Sequence, residues 1–189
     1  MFALERTAQA ALAIACILIC SGWQETAGKT PSQTSSVPAA RADILSPVEE
    51  SLGTALFFPS GNGIRIELDM VGLVPGTHAV HILSVGKCEG PGFKSAGPHF
   101  NPFGKQHGTE NPAGPHAGDL PNFLVGLNGL AHVSLLASGV TLDSGPNSVF
   151  QPGGTAIVID EGIDDYKTDP DGNSGAHIAC GVVQKQTSN

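Results

Sequence analysis

Residues Ser95–Leu120 read SAGPHFNPFGKQHGTENPAGPHAGDL, and within 21 residues of this stretch stand His99, His107, His116 and Asp119. The background of Gly and Pro carries neither helical nor strand periodicity, so the segment reads as a long ordered loop. Structureless connections of this length are uncommon in compact domains unless something organises them. Three imidazoles and one carboxylate suit a tetrahedral zinc ion with donors at ~2.0–2.2 Å. A bound metal is therefore the expected organiser, the alternative being a His-bearing surface loop with no ion.

Such a loop needs a frame, and the flanks supply one. Alternating apolar and polar residues mark strands at Gly53–Phe58, Gly63–Leu73, His78–Leu83, Leu130–Leu136, Thr155–Ile159 and Ala176–Val183, because period-two alternation buries one face of a strand. Turn chemistry fills the joints: Ser60-Gly61-Asn62-Gly63, Pro75-Gly76, Asn128-Gly129, Asp143-Ser144-Gly145-Pro146 and Pro152-Gly153-Gly154. No window has convincing helical periodicity, and there is no internal repeat. Many short strands punctuated by Gly and Pro imply an all-β sandwich or barrel. Two long loops interrupt the pattern, Gly86–Leu127 and Asp160–Gly175, and the metal-ligand residue types gather in or beside them.

The chain of 189 residues accommodates one domain and a tail. Residues 1–23 combine a short charged start (Glu5, Arg6), the apolar run AQAALAIACILIC and then small residues, the layout of a signal peptide rather than a membrane span. Cys16 or Cys20 as a lipid-bearing cysteine is the alternative; the large residues Ile17, Leu18 and Ile19 before Cys20 count against it. Residues 24–44 (QETAGKTPSQTSSVPAARA and its continuation) have too little apolar surface to fold and read as a disordered linker, leaving 45–189 as the domain. Export to the periplasm or the cell exterior follows. Removing residues 1–23 takes away one acid and one base, so the net charge stays at −8. That balance gives no support to nucleic-acid or anionic-membrane partners. Cys88 and Cys180 remain, and in an oxidising compartment such a pair is most simply a disulfide, with two free buried thiols as the alternative. Oligomeric state, including a homodimer, stays open because alternation does not separate an exposed apolar face from core.

Four blocks, SAGPHFNP (Ser95–Pro102), HAGDL (His116–Leu120), DDYKTDPDGNSGA (Asp164–Ala176) and ACGVV (Ala179–Val183), make the segment Gly53–Val183 resemble the copper/zinc superoxide dismutase family. The resemblance implies a Greek-key β-barrel of about eight antiparallel strands with two metal-bearing loops, and a disulfide between Cys88 and Cys180 that ties the zinc loop to the last strand. It implies that His99, His107, His116 and Asp119 are zinc ligands, with His99 also bridging to copper. Asp164 matches the residue that joins a copper-side histidine, here His81, to a zinc-side histidine, here His107. The copper set departs from the family. His81 holds one expected position, but Leu83 and Asp160 stand where histidines belong, and His177 replaces an arginine that guides superoxide.

A hydrocarbon offers no lone pair, and zinc has no accessible redox step. Copper at His81, His99 and Asp160 would have two nitrogens and a hard oxygen, a set favouring Cu(II) over the Cu(I) half of a cycle. Weak copper binding is expected, and superoxide is a poorly served substrate because His177 lacks the permanent charge of an arginine and the net charge repels anions. Two histidines and a carboxylate are also the ligand set of non-haem Fe(II), which keeps a rebuilt oxidoreductase site as the alternative. The reading carried forward is a zinc-binding protein with a degenerate copper site, in which Asp160 accepts the outer N–H of His99. His78 lies three residues from His81 and so on the opposite strand face; it and His132 read as ordinary strand histidines. No His-rich tail of a metal-collecting protein is present.

Overall fold

The buried Ala40, Ala42 and Ile44 alternate with the outward Arg41 and Asp43, and this small-residue alternation makes Ala40–Leu45 the first strand, β1. The structure, a computed structural model, describes residues 37–186. After β1 come β2 (Ser51–Ser60), β3 (Gly63–Met70), β4 (Gly76–His78), β5 (Val80–Leu83), β6 (Phe123–Val125), β7 (Ala131–Ala137), β8 (Ala156–Asp160), β9 (His177–Val182) and β10 (Gln184–Lys185). The described residues hold no α-helix, only a 3-10 turn at Lys94–Ala96. The main sheet has the order β5-β8-β9-β1-β2-β3-β7, with β10 on β1, and β4 pairs with β6 separately. Every strand pair is antiparallel. The late strand β9 returns beside β1, so β9-β1-β2-β3 has the spatial order of a Greek key.

The core follows from alternation. Ile64, Ile66, Leu68 and Met70 of β3 are buried, while Arg65, Glu67 and Asp69 point outward. Strands β5 and β8 differ in being buried at every residue. One face joins the main core, through Val80, Ile82, Ile157 and Ile159. On the other, Leu83, Ala156 and Val158 pack with Phe93, Ala96 and Cys180 of the covering loop and last long strand. The Cys88–Cys180 disulfide, with Cα atoms 5.7 Å apart, pins that loop down. Closing a loop of this length contributes roughly 4 kcal/mol in the chain-entropy picture.

Three expectations are corrected. The linker expected over 24–44 overlaps β1, whose alternation is hidden behind two alanines, and residues 24–36 lie outside the described residues. The strand expected over His78–Leu83 is two strands that change partner at Ala79, whose N–H donates to Gly162 O at 2.7 Å and whose carbonyl accepts from Asp160 N at 3.0 Å. The loop expected over Gly86–Leu127 contains β6, whose inward Phe123 and Val125 flank the outward Leu124. The expected signal peptide and the lipid-bearing Cys16 or Cys20 lie outside the described residues. Among those described, no helix is long and apolar enough to cross a membrane.

Candidate metal centre

The backbone of β5 positions the long loop. Ile82 N–H donates to Gly118 O at 2.9 Å, Ile82 O accepts from Phe100 N at 2.8 Å, and Ser84 N–H reaches Pro98 O at 2.9 Å. These bonds place His99 beside Leu83 and Asp119 beside His81. Gly118 is required at this crossing, since a Cβ there would lie 2.2 Å from Ile82 O.

The side chains then converge. Asp119 Oδ1 lies 3.0 Å from His99 Nδ1, 3.2 Å from His107 Nδ1 and 3.2 Å from His116 Nδ1. Four donors ~2.0–2.1 Å from a tetrahedral ion are separated by about 3.3 Å, and the three distances from Asp119 Oδ1 are close to that separation. Asp119 Oδ2 accepts the N–H groups of Gly108 and His116, each at 2.9 Å, which turns Oδ1 toward the imidazoles. His107 Nδ1 is buried and makes no hydrogen bond, as a metal donor would be. Burial acts to raise the Asp119 pKa, but the close imidazoles of His107, His116 and His99 and the Gly108 N–H hold it well below the carboxylate range. Burial acts to lower His107, yet Asp119 and Asp164 outweigh it and push His107 up to about 10. His99 is lowered, chiefly by burial.

A second network adjoins the first. His81 presents Nδ1 to Asp160 Oδ2 at 2.8 Å and Nε2 to Asp164 Oδ2 at 3.1 Å, with all three side chains buried. Asp164 Oδ1 accepts from His107 Nε2 at 2.9 Å and from Tyr166 N at 2.7 Å. Burial works against a charged His81, but the two aspartates leave its pKa raised. Asp164 is lowered by His107 and His81 despite its burial. Gly172 permits this approach: φ is +67° and a Cβ would sit 2.0 Å from Asp164 Oδ1. Ser174 Oγ donates to Asp160 Oδ2 at 3.0 Å, while Asp160 Oδ1 makes no hydrogen bond and lies 3.7 Å from His177 Nε2.

Asp160 therefore meets His81, not His99 as expected from the sequence. The His99 ring turns Nδ1 to Asp119 and stacks on the His81 ring at 3.9 Å, while the β5–β8 pairing brings Asp160 to His81. Leu83 fills its position with hydrocarbon packed against Phe93 and Val158. His78 is a buried strand histidine, its ring nitrogens 2.8 Å from Asp160 O and 2.9 Å from Val74 O. His132 is exposed and pairs with Asp69. Sequence reasoning missed Asn122, which exchanges hydrogen bonds with the Asp164 backbone, and Asp169, whose Oδ1 accepts from His107 N at 2.6 Å. Only the density of acids in Asp164–Asp171 hinted at the latter.

His81, His99, His107 and Asp119 each bring a ligand atom within 4.8 Å of the others, and His116 shares the same carboxylate oxygen. An antiparallel Greek-key fold that buries such a cluster beneath its longest loop is that of a metal-binding β-barrel protein. The chain belongs to the copper/zinc superoxide dismutase (SODC) family, which residues 51–183 match. It is 50% identical over 145 residues to superoxide dismutase [Cu-Zn] 1 of Aquifex aeolicus, covering 76% of this chain and 86% of that one. Over 123 residues it is 44% identical to the superoxide dismutase-like protein YojM of Bacillus subtilis, covering 64% and 63%. The crystal structure of a superoxide dismutase-like protein from Bacillus subtilis superposes with a TM-score of 0.73 at 37% identity, covering 75% of this chain and 96% of that one.

Proposed function

We propose that this protein is an exported zinc-binding member of the family whose copper site has become a structural bridge, and that it lacks copper-dependent superoxide dismutation. One observation carries the reading: both ring nitrogens of His81 face buried aspartate oxygens, Asp160 on one side and Asp164 on the other. A histidine held in this way has no lone pair to give to copper, and Leu83 beside it has none at all. Around Asp119 Oδ1, by contrast, the Nδ1 atoms of His99, His107 and His116 complete a nitrogen-and-oxygen set of the kind zinc takes in closed, structural sites. Zinc would supply cohesion within the long Gly86–Leu127 loop and no electron transfer. The work of the protein is then zinc retention or recognition of a partner outside the cell, and copper binds weakly.

A second reading rests on a different observation. Asp160 Oδ1 is buried without a hydrogen bond and lies 3.7 Å from His177 Nε2, and the Aquifex aeolicus relative is named a [Cu-Zn] superoxide dismutase. On this reading a redox metal, copper or iron, sits at a rebuilt His81, His99 and Asp160 site and superoxide is the substrate. Elemental analysis of protein purified from its native compartment, with superoxide consumption measured after copper and iron loading, separates the two. One zinc per chain with no retained copper or iron and no turnover is expected. A second metal with turnover abolished by Asp160→Ala would overturn the zinc-only reading.

A further inference from the structure

His116 and His107 point their Nδ1 atoms inward, to within 3.2 Å of Asp119 Oδ1. Their Nε2 atoms point the other way, and both meet carboxylates from the Asp160–Gly175 loop. For His107 the partner is Asp164, at 2.9 Å. For His116 it is Asp169, whose Oδ1 stands 3.8 Å from Nε2 while accepting the His107 backbone N–H at 2.6 Å. The longer distance is outside direct hydrogen-bond range, so what Asp169 presents to His116 is a charge facing Nε2 and not a hydrogen bond. Asp169 acts on His107 through a direct bond. The turn that carries it is held in place: Gly172 N–H donates to Thr168 O at 2.7 Å, and Asp165 Oδ1 accepts from Thr168 N at 2.8 Å. Tyr166, three residues earlier, takes Glu110 N–H on its carbonyl at 3.0 Å and Asn122 N–H on its hydroxyl at 2.7 Å.

We propose that Asp169 is a second positioning carboxylate of the metal centre, which sets the His107 main chain and orients His116, so that metal retention depends on the Asp160–Gly175 loop. The inference rests on the reading of His99, His107, His116 and Asp119 as the zinc cage. Carboxylates on the outer nitrogen of a ligating histidine fix its tautomer and raise its basicity, and losing one weakens metal binding roughly 10- to 100-fold.

The test uses the full chain, with the Zn(II) dissociation constant measured by competition with a chromophoric chelator and the visible spectrum recorded after Co(II) substitution. Asp169→Ala is expected to weaken Zn(II) by up to about 10-fold, the low end of the range for a direct outer partner, and to shift the Co(II) bands. Asp169→Asn keeps an oxygen for the His107 N–H and loses the charge facing His116, so it should fall between wild type and the alanine variant. Asp171→Asn, an acid of the same turn whose carboxylate accepts only from Asn173 N among the described contacts, controls for net charge. Urea unfolding of the metal-free variants separates loss of positioning from loss of fold, and the asparagine variant carries the test if alanine does not fold. A wild type that binds one Zn(II) tightly with an Asp169→Ala variant within twofold of it overturns the inference alone. So does an Asp171→Asn variant as weak as Asp169→Asn. A wild type that binds no Zn(II) overturns the zinc-cage reading and the inference together.

Discussion

Asp164 joins the two networks, and its removal has a magnitude that follows from its contacts. Its side chain is fully buried, and its two oxygens receive His107 Nε2 at 2.9 Å, His81 Nε2 at 3.1 Å and Tyr166 N–H at 2.7 Å. Alanine deletes charge-assisted bonds to both imidazoles and leaves their N–H groups facing a void. Removing one partner of a buried ion pair costs about 3–5 kcal/mol, and that is the loss expected for Asp164→Ala in the metal-free protein near neutral pH. Asparagine should cost less, about 1–2 kcal/mol. Its oxygen still serves His107 and Tyr166, while its NH2 group donates to a His81 that has become neutral at Nε2 and still donates from Nδ1 to Asp160. The assay is urea unfolding at equilibrium with the disulfide intact and a chelator present. The Asp164 pKa is lowered on folding, so its contribution is present above the unfolded carboxylate value near 4 and is lost as pH falls below it. The difference between wild type and Asp164→Ala should therefore shrink in acid. Equal destabilisation by alanine and asparagine, or an alanine variant within 0.5 kcal/mol of wild type on the ~1 kcal/mol scale of ordinary substitutions, would refute the argument.

His107, raised to about 10, contributes stability to the metal-free protein that is complete below the unfolded histidine value of about 6.5 and is lost as pH rises toward 10. The urea midpoint of the metal-free protein should fall over that range, and the slope should flatten in His107→Gln. Asp160→Ala strands His81 Nδ1 and should destabilise the fold, yet it reaches the cage only indirectly, through His81 and its contacts with Asp164 and the His99 ring. Its effect on Zn(II) affinity, measured by chelator competition, should stay below the tenfold loss of a direct outer partner. Cys88→Ser should lower stability by about 2–5 kcal/mol in the same unfolding assay, with no comparable effect from a reducing agent added to the variant.

The sequence announced the frame where alternation was carried by large residues. Ile64, Ile66 and Leu68 made β3 unmistakable, but Ala40 and Ala42 looked like more of the Ala- and Ser-rich segment before them. β6 is three residues long, too short for a periodic signal. That His99, His107, His116 and Asp119 would converge was legible because four ligand types stood close together in one loop. The partner of Asp160 was not, because it depends on which nitrogen of His99 faces Asp119 and on the stacking of two rings, neither of which is encoded in spacing. Asp169 was hidden for a related reason: its contact to His107 is to a backbone N–H, and any residue supplies one.

The loop that carries the metal ligands also does for β5 what a neighbouring strand would do. β5 ends the order of the main sheet, and such a terminal strand offers unpaired N–H and C=O groups that template pairing with other chains. Here Ile82 spends its N–H on Gly118 and its carbonyl on Phe100, and the ligands that hold those two residues in place are their neighbours His99 and Asp119. On the proposed zinc reading, metal loss loosens the cover over a Val-His-Ile-Leu strand of high β propensity. Light scattering should then show metal-free protein self-associating faster than the zinc-loaded form.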